Sequence, residues 1–150
     1  MKRKILHRLF YDHPPQVVWK YLTDAVLLEQ WLMKNDFKPI VGHHFQFRIK
    51  PMPDYGFDGI IYCIVTELVP FKKLTYTWQC GPGEGKISLD SVVKWELAPK
   101  GEGTELVLEQ SGFGEKETLA LYDIMDAGWI KNMNKIAALI KNEDHAPTKP

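Results

Sequence analysis

Apolar residues recur along this chain with two different periods, and each change of period marks a boundary. Residues 4–11, KILHRLFY, are rich in β-branched and aromatic types and predict a first strand. DHPPQVVWKYL then carries Val17, Val18, Tyr21 and Leu22 at helical spacing. Asp12 or His13 is expected to cap this helix, with the prolines in its first turn. Thr23-Asp24 reads as a fresh cap for a second short helix through Leu27, Leu28, Trp31 and Leu32.

After Pro39 the period becomes two. Phe45, Phe47 and Ile49 alternate with His44, Gln46, Arg48 and Lys50. PMPDYG is turn-rich, and 57–69 predicts a long strand. Ile60, Tyr62 and Ile64 fall on one side of it and Ile61, Cys63 and Val65 on the other. Leu74, Tyr76 and Trp78 alternate with Thr75, Thr77 and Gln79. Val93, Trp95 and Leu97 alternate with Val92, Lys94 and Glu96, and residues 104–110 form a further strand. From Lys116 to about Lys141 the helical period returns, with Tyr122, Met125, Trp129, Met133, Ile136 and Ile140 in one stripe. Gly128 inside that helix costs about 1 kcal/mol against alanine, which implies a close backbone contact or a bend. The pattern predicts an α+β domain: an antiparallel sheet covered on one face by the final helix. A curved sheet wrapping that helix satisfies the length of both.

CGPGEGK (80–86) superficially suggests a phosphate loop. The spacing is wrong, because Cys80 stands where the first glycine belongs and Ile87 where a hydroxyl is needed. A strand rather than a helix follows, so the glycines are expected to turn between antiparallel strands.

Composition narrows the function. Nineteen Lys plus Arg balance nineteen Asp plus Glu, so nucleic acid is not the expected partner. No apolar run approaches a membrane span. The basic N-terminus lacks the apolar core of a signal peptide. The two cysteines, Cys63 and Cys80, make no disulfide framework, and a cytoplasmic location is the default expectation. His43 and His44 would face opposite ways on a strand, and no paired His or Cys spacing points to a metal, so neither metal nor cofactor is expected. No Gly-x-Ser-x-Gly nucleophile elbow occurs.

The residues Pro15-x-x-Val18-Trp19-x-x-Leu22-Thr23-Asp24, then Trp31, then Gly42 before Phe45-x-Phe47, resemble a known pattern. With Gly128-Trp129, Met133 and Ile136 at the other end, the chain resembles the START-like helix-grip (SRPBCC) superfamily. Within it, the chain looks like the branch related to the activator of the heat-shock-protein-90 ATPase. The resemblance spans roughly residues 4–141, with Met133 and Ile136 where relatives usually carry leucine. Residues 1–142 are expected to form the domain and 143–150 a tail.

The resemblance implies a hollow between sheet and helix that takes a small apolar molecule. It also implies that Trp19 and Trp31 fix the short helices on the sheet. Trp78, Trp95 and Trp129 can converge on that interior, with Phe47, Tyr62, Tyr76, Met125 and Met133 completing an adaptable lining. A dry hollow of ~300 Å³ would cost about 7 kcal/mol, so it should be filled. Tyr62, Tyr76, Ser91 and Tyr122 are polar groups that could orient a ligand there. Asp126 follows Tyr122 by one helical turn, and burial would suit it to acid–base work. Three readings stay open: a binding protein for a small hydrophobic or aromatic molecule, a cyclase- or hydrolase-type enzyme using Asp126, and an interaction module contacting a chaperone. Homodimerisation is also left open.

Overall fold

The computed structural model describes residues 3–113 and 119–144. In chain order the elements are β1 (Arg3–Tyr11), α1 (Pro15–Thr23), α2 (Ala25–Trp31), β2 (Lys34–Asn35), β3 (His44–Arg48), β4 (Ile60–Val69), β5 (Lys73–Cys80), β6 (Leu89–Lys100), β7 (Gly103–Phe113) and α3 (Leu119–Asp144). The seven strands form one curled antiparallel sheet in the order β1-β7-β6-β5-β4-β3-β2, and α3 lies along its concave face. This is the helix-grip arrangement.

Local chemistry explains most boundaries. Pro14 is the residue before α1, with Pro15 in the first turn, so neither Asp12 nor His13 caps it. The carboxylate of Asp24 accepts from Val26 N at 2.9 Å and Leu27 N at 3.3 Å, capping α2 as its side chain predicts. The glycine stretch joins β5 to β6, with Cys80 paired to Leu89 at its base. Gly83 and Gly85 have φ of 108° and 77°, values that disfavour any side chain. β2, only two residues long, has no sequence period to betray it. α3 runs through Asp144, so residues 143 and 144 are helical rather than tail. Residues 145–150, and the expected helical start at Lys116, lie outside the described residues.

Register decides which side chains face inward. Residues directly opposite one another on neighbouring strands share a face. Phe45 pairs with Cys63 and Phe47 with Ile61, so Ile61, Cys63 and Val65 join the buried face. Tyr62 pairs with Gln46 and Gln79, and is turned outward with them. Leu74, Tyr76, Trp78 and Cys80 on β5, Val93, Trp95 and Leu97 on β6, and Leu106 and Leu108 on β7 continue the buried face.

α3 is fastened to the β1 edge by polar contacts as well as by packing. Tyr11 Oη donates to the carbonyl of Met133 at 2.7 Å, and Tyr122 Oη donates to the carbonyl of Lys4 at 3.2 Å. His7 Nε2 lies 2.9 Å from the Asp126 carboxylate and 3.0 Å from its carbonyl oxygen. Trp31 packs edge-on against Trp95 at 5.9 Å and donates from its indole to the carbonyl of Tyr21 at 2.7 Å, tying the short helices to the sheet. Trp19 rests against Phe71 at 6.2 Å.

Candidate functional site

A cavity of about 140 Å³ lies between the sheet and α3. Ile61 of β4 and Trp78 and Cys80 of β5 form its sheet wall. Leu121, Ile124, Met125, Gly128, Trp129 and Asn132 form its helix wall. Leu32, Met33, Ile49, Met52 and Phe57, from the segments after α2 and around the β3–β4 connection, line the remaining side. Thirteen of these fourteen residues bring apolar atoms or a thiol; Asn132 alone brings a carboxamide.

The helix wall follows from periodicity. Leu121, Met125, Gly128 and Asn132 recur at steps of four, three and four, one face of a helix. A Cβ built on Gly128 would meet nothing within 4 Å. Of the two expectations at this position, a contact or a bend, the close contact is therefore absent, and the missing side chain leaves room beside the cavity. Asn132, one turn further, has no hydrogen-bond partner among the described residues.

The three tryptophans do converge. Trp78 and Trp129 lie 5.1 Å apart between ring centroids, and Trp95 and Trp129 lie 5.5 Å apart. Trp78, Met125 and Trp129 line the cavity. Phe47, Tyr76, Trp95 and Met133 are fully buried but belong to the packing around it, not to its wall. Phe47 stands 5.4 Å from Trp78, and Tyr76 stands 6.1 Å from Phe47. This ring cluster occupies much of the interior, so the hollow is smaller than the ~300 Å³ typical of small-ligand sites. Tyr62 lines no part of it. It is 38% exposed and borders a polar groove on the outer face with Gln46, Arg48 and Gln79. Tyr122 stands beside Phe113 at 5.1 Å, towards the β1 edge.

Buried polar groups support the cluster through a relay. The indole N–H of Trp129 donates to Gln110 Oε1 at 2.7 Å, Gln110 Nε2 donates to Ser91 Oγ at 3.0 Å, and Ser91 Oγ donates to the carbonyl of Trp78 at 2.8 Å. Trp95 Nε1 donates to Tyr76 Oη at 2.9 Å. Trp78 Nε1 differs: it is shut off from solvent and has no partner among the described residues. An unsatisfied donor of this kind costs about 1–3 kcal/mol.

The ionisable groups near the cavity are held neutral or point elsewhere. Burial, and secondarily the Asp58 carboxylate, pushes the Cys80 thiol up to about 11, so it is protonated at neutral pH. Burial raises Cys63 further, aided by Cys80 and Asp36. Burial also raises the Tyr76 hydroxyl, against the opposing bond from Trp95. Both cysteines are free thiols. The Asp126 side chain is 44% exposed, pairs with His7, and is not part of the cavity wall. The burial that acid–base work would need is not found there, because the carboxylate leans to the β1 edge. Leu32, Ile61, Leu121, Gly128 and Asn132 had no place in the sequence-based lining. The helical spacing of Leu121, Gly128 and Asn132 to Met125 is the signal that could have found three of them.

Among the described residues, no helix is long and apolar enough to cross a membrane. No curated protein matches the sequence. Among solved structures, protein MLL2253 from Mesorhizobium loti is 35% identical, with 97% of this chain and 100% of that chain covered and a TM-score of 0.82. CalU16 from Micromonospora echinospora is 25% identical over 96% of this chain and 80% of that one, with a TM-score of 0.71. The Aha1 dimer from Colwellia psychrerythraea has the same fold at 19% identity, with 90% and 93% covered and a TM-score of 0.72. The model of the family described as Activator of Hsp90 ATPase homolog 1-like protein matches residues 12–141. With that match over most of its length, and with the fold and its helix-gripping sheet in place, the chain belongs to the Activator of Hsp90 ATPase homolog 1-like family.

Proposed function

We propose that this protein binds a small, uncharged, predominantly apolar molecule in the cavity between β4, β5 and α3. The observation that carries this reading is the wall itself: rings, aliphatic chains and a protonated thiol around about 140 Å³, with no Lys, Arg, His, Asp or Glu among the lining residues. Water in an apolar recess of this kind finds few hydrogen-bond partners, and a ligand that displaces it gains dispersion contacts with the wall.

A cyclase- or hydrolase-type activity has less support. Asp126 pairs with His7 away from the cavity, and Cys80 is a poor nucleophile while its proton is held. A chaperone-contacting surface also has less support on the outer face of β1. There, exposed Leu6 and Phe10 stand opposite Glu109 and Glu105, so charge interrupts the apolar area. Two free buried thiols fit a reducing compartment, and the cytoplasm is the proposed location.

The test is a thermal-shift panel of neutral single-ring compounds, followed by native mass spectrometry of the stabilised samples. A ligand at a hundred times its Kd stabilises by about 2.7 kcal/mol, several degrees for a domain of this size. A panel in which no compound raises Tm, and no complex is retained in the gas phase, refutes the reading.

A further inference from the structure

We infer that the ligand is a molecule of single-ring size carrying one neutral oxygen, and that the Asn132 carboxamide holds that oxygen while the ring lies against α3 at Gly128. This inference rests on the binding reading above and specifies the ligand's chemistry.

Size comes from the volume. A cavity of about 140 Å³ is close to the roughly 150 Å³ apolar space known to hold a benzene ring. A bicyclic or longer molecule would extend beyond this volume. Position comes from Gly128, the one lining residue of α3 without a side chain. Space is free where its Cβ would stand, so a flat ring can approach the helix there more closely than at Ile124 or Met125.

Polarity comes from Asn132. It sits four residues after Gly128 and therefore on the same helix face. It is half-buried, and its carboxamide is unpaired among the described residues. The neighbouring Asn134 is different, since it donates to the carbonyl of Ile130 at 3.0 Å along its own helix. A carboxamide offers both a donor and an acceptor, so it can bond a ketone, ether or hydroxyl oxygen. It offers no charge, and no basic residue lines the cavity, so a carboxylate would enter without a counter-ion. A purely hydrocarbon ligand would instead leave the carboxamide competing for water at the cavity.

Acetophenone, ethylbenzene, which lacks its oxygen, and benzoate separate these requirements. Affinities for the wild type and for Asn132→Leu, measured by calorimetry, form a cycle in which ligand solvation cancels. Asn132→Leu is expected to weaken acetophenone about fivefold while ethylbenzene stays within about twofold. Benzoate is expected to bind at least tenfold more weakly than acetophenone. In wild-type protein, the side-chain amide resonances of Asn132 should move further with acetophenone than with ethylbenzene, which acts on them through its ring current alone, a measurement that needs no folded variant. If acetophenone and ethylbenzene bind but change in parallel on substitution, with the amide resonances moved no further by acetophenone, the assignment to Asn132 is overturned and the cavity reading survives. If benzoate binds as well as acetophenone, neutrality is overturned. If none of the three binds while other members of the neutral panel do, this inference falls and the cavity reading survives.

Discussion

Replacing Gly128 by alanine adds one methyl group to the cavity side of α3, at a position where it meets no atom within 4 Å. Two effects then act in the same direction. Glycine within a helix is about 0.8–1.0 kcal/mol less favourable than alanine, because the unfolded chain loses more freedom on folding. The methyl also occupies some of the hollow. With ~20 Å³ filled and a cavity coefficient on the order of 24 cal/mol per Å³, that adds about 0.5 kcal/mol. The sum is about 1.5 kcal/mol of added stability, and at 2–4 °C per kcal/mol for a chain of this size, Tm should rise by roughly 3–6 °C. Ligand affinity should move the opposite way, since the methyl takes space the ring would use. Differential scanning calorimetry, urea titration and a binding isotherm on the same two proteins measure all three quantities. A Tm that stays level or falls would mean the methyl collides with its surroundings. A gain in Tm with no loss of affinity would mean ligands do not lie against this turn of α3.

Trp129→Phe should cost at least ~1 kcal/mol more in urea titration than Trp78→Phe. It leaves the amide oxygen of Gln110 unpaired, whereas the lost Trp78 donor has no partner to strand. Equal costs would refute the relay's role. Cys80 should resist iodoacetamide near neutral pH, with its rate rising about tenfold per pH unit and levelling off only near 11, read by peptide mass mapping. The same raised thiol makes stability fall as pH climbs from about 9, the ordinary value, towards 11, because the unfolded chain releases that proton first. A reactivity midpoint at 9 or below would refute the burial. Asp126→Asn should change stability by less than about 1 kcal/mol, as expected for a pair with one partner 44% exposed; a loss beyond ~3 kcal/mol would show that the His7 contact holds α3 in place.

Most strands were legible because each carries its apolar residues at alternate positions, and the long helix because its stripe persists over many turns. The inward face of β4 was not legible. Residues 60–65 are apolar on both sides, so their own pattern does not choose between Tyr62 and Ile61. The choice is made by the neighbour, since Phe47 is buried and Ile61 stands opposite it. The aromatic ring of Tyr62 pointed sequence reasoning to the wrong face. The site was legible only in part for a related reason. Trp78, Met125 and Trp129 reach the cavity, but whether a buried ring lines a hollow or fills it depends on how tightly its neighbours pack. Phe47, Tyr76, Trp95 and Met133 fill it. Gly128 shows in the sequence as a cost to the helix, whereas the free space beside it is set by tertiary packing that no local pattern records.

Pairing β1 with β7 sets an order of events on the ribosome. β1 has no ladder partner until residue 104 has left the exit tunnel, and no complete one until residue 113 has followed. Its three polar ties to α3 wait longer still, for Met133, Asp126 and Tyr122. Until then β1 is an unpaired edge bearing Leu6 and Phe10, and the nascent protein depends on chaperones or on speed to avoid pairing with a neighbour. In the refolding full-length chain the same pairs are the ones farthest apart in sequence, so pulse-labelled hydrogen exchange should find the amides of residues 4–11 protected after those of the central β4–β5–β6 ladder.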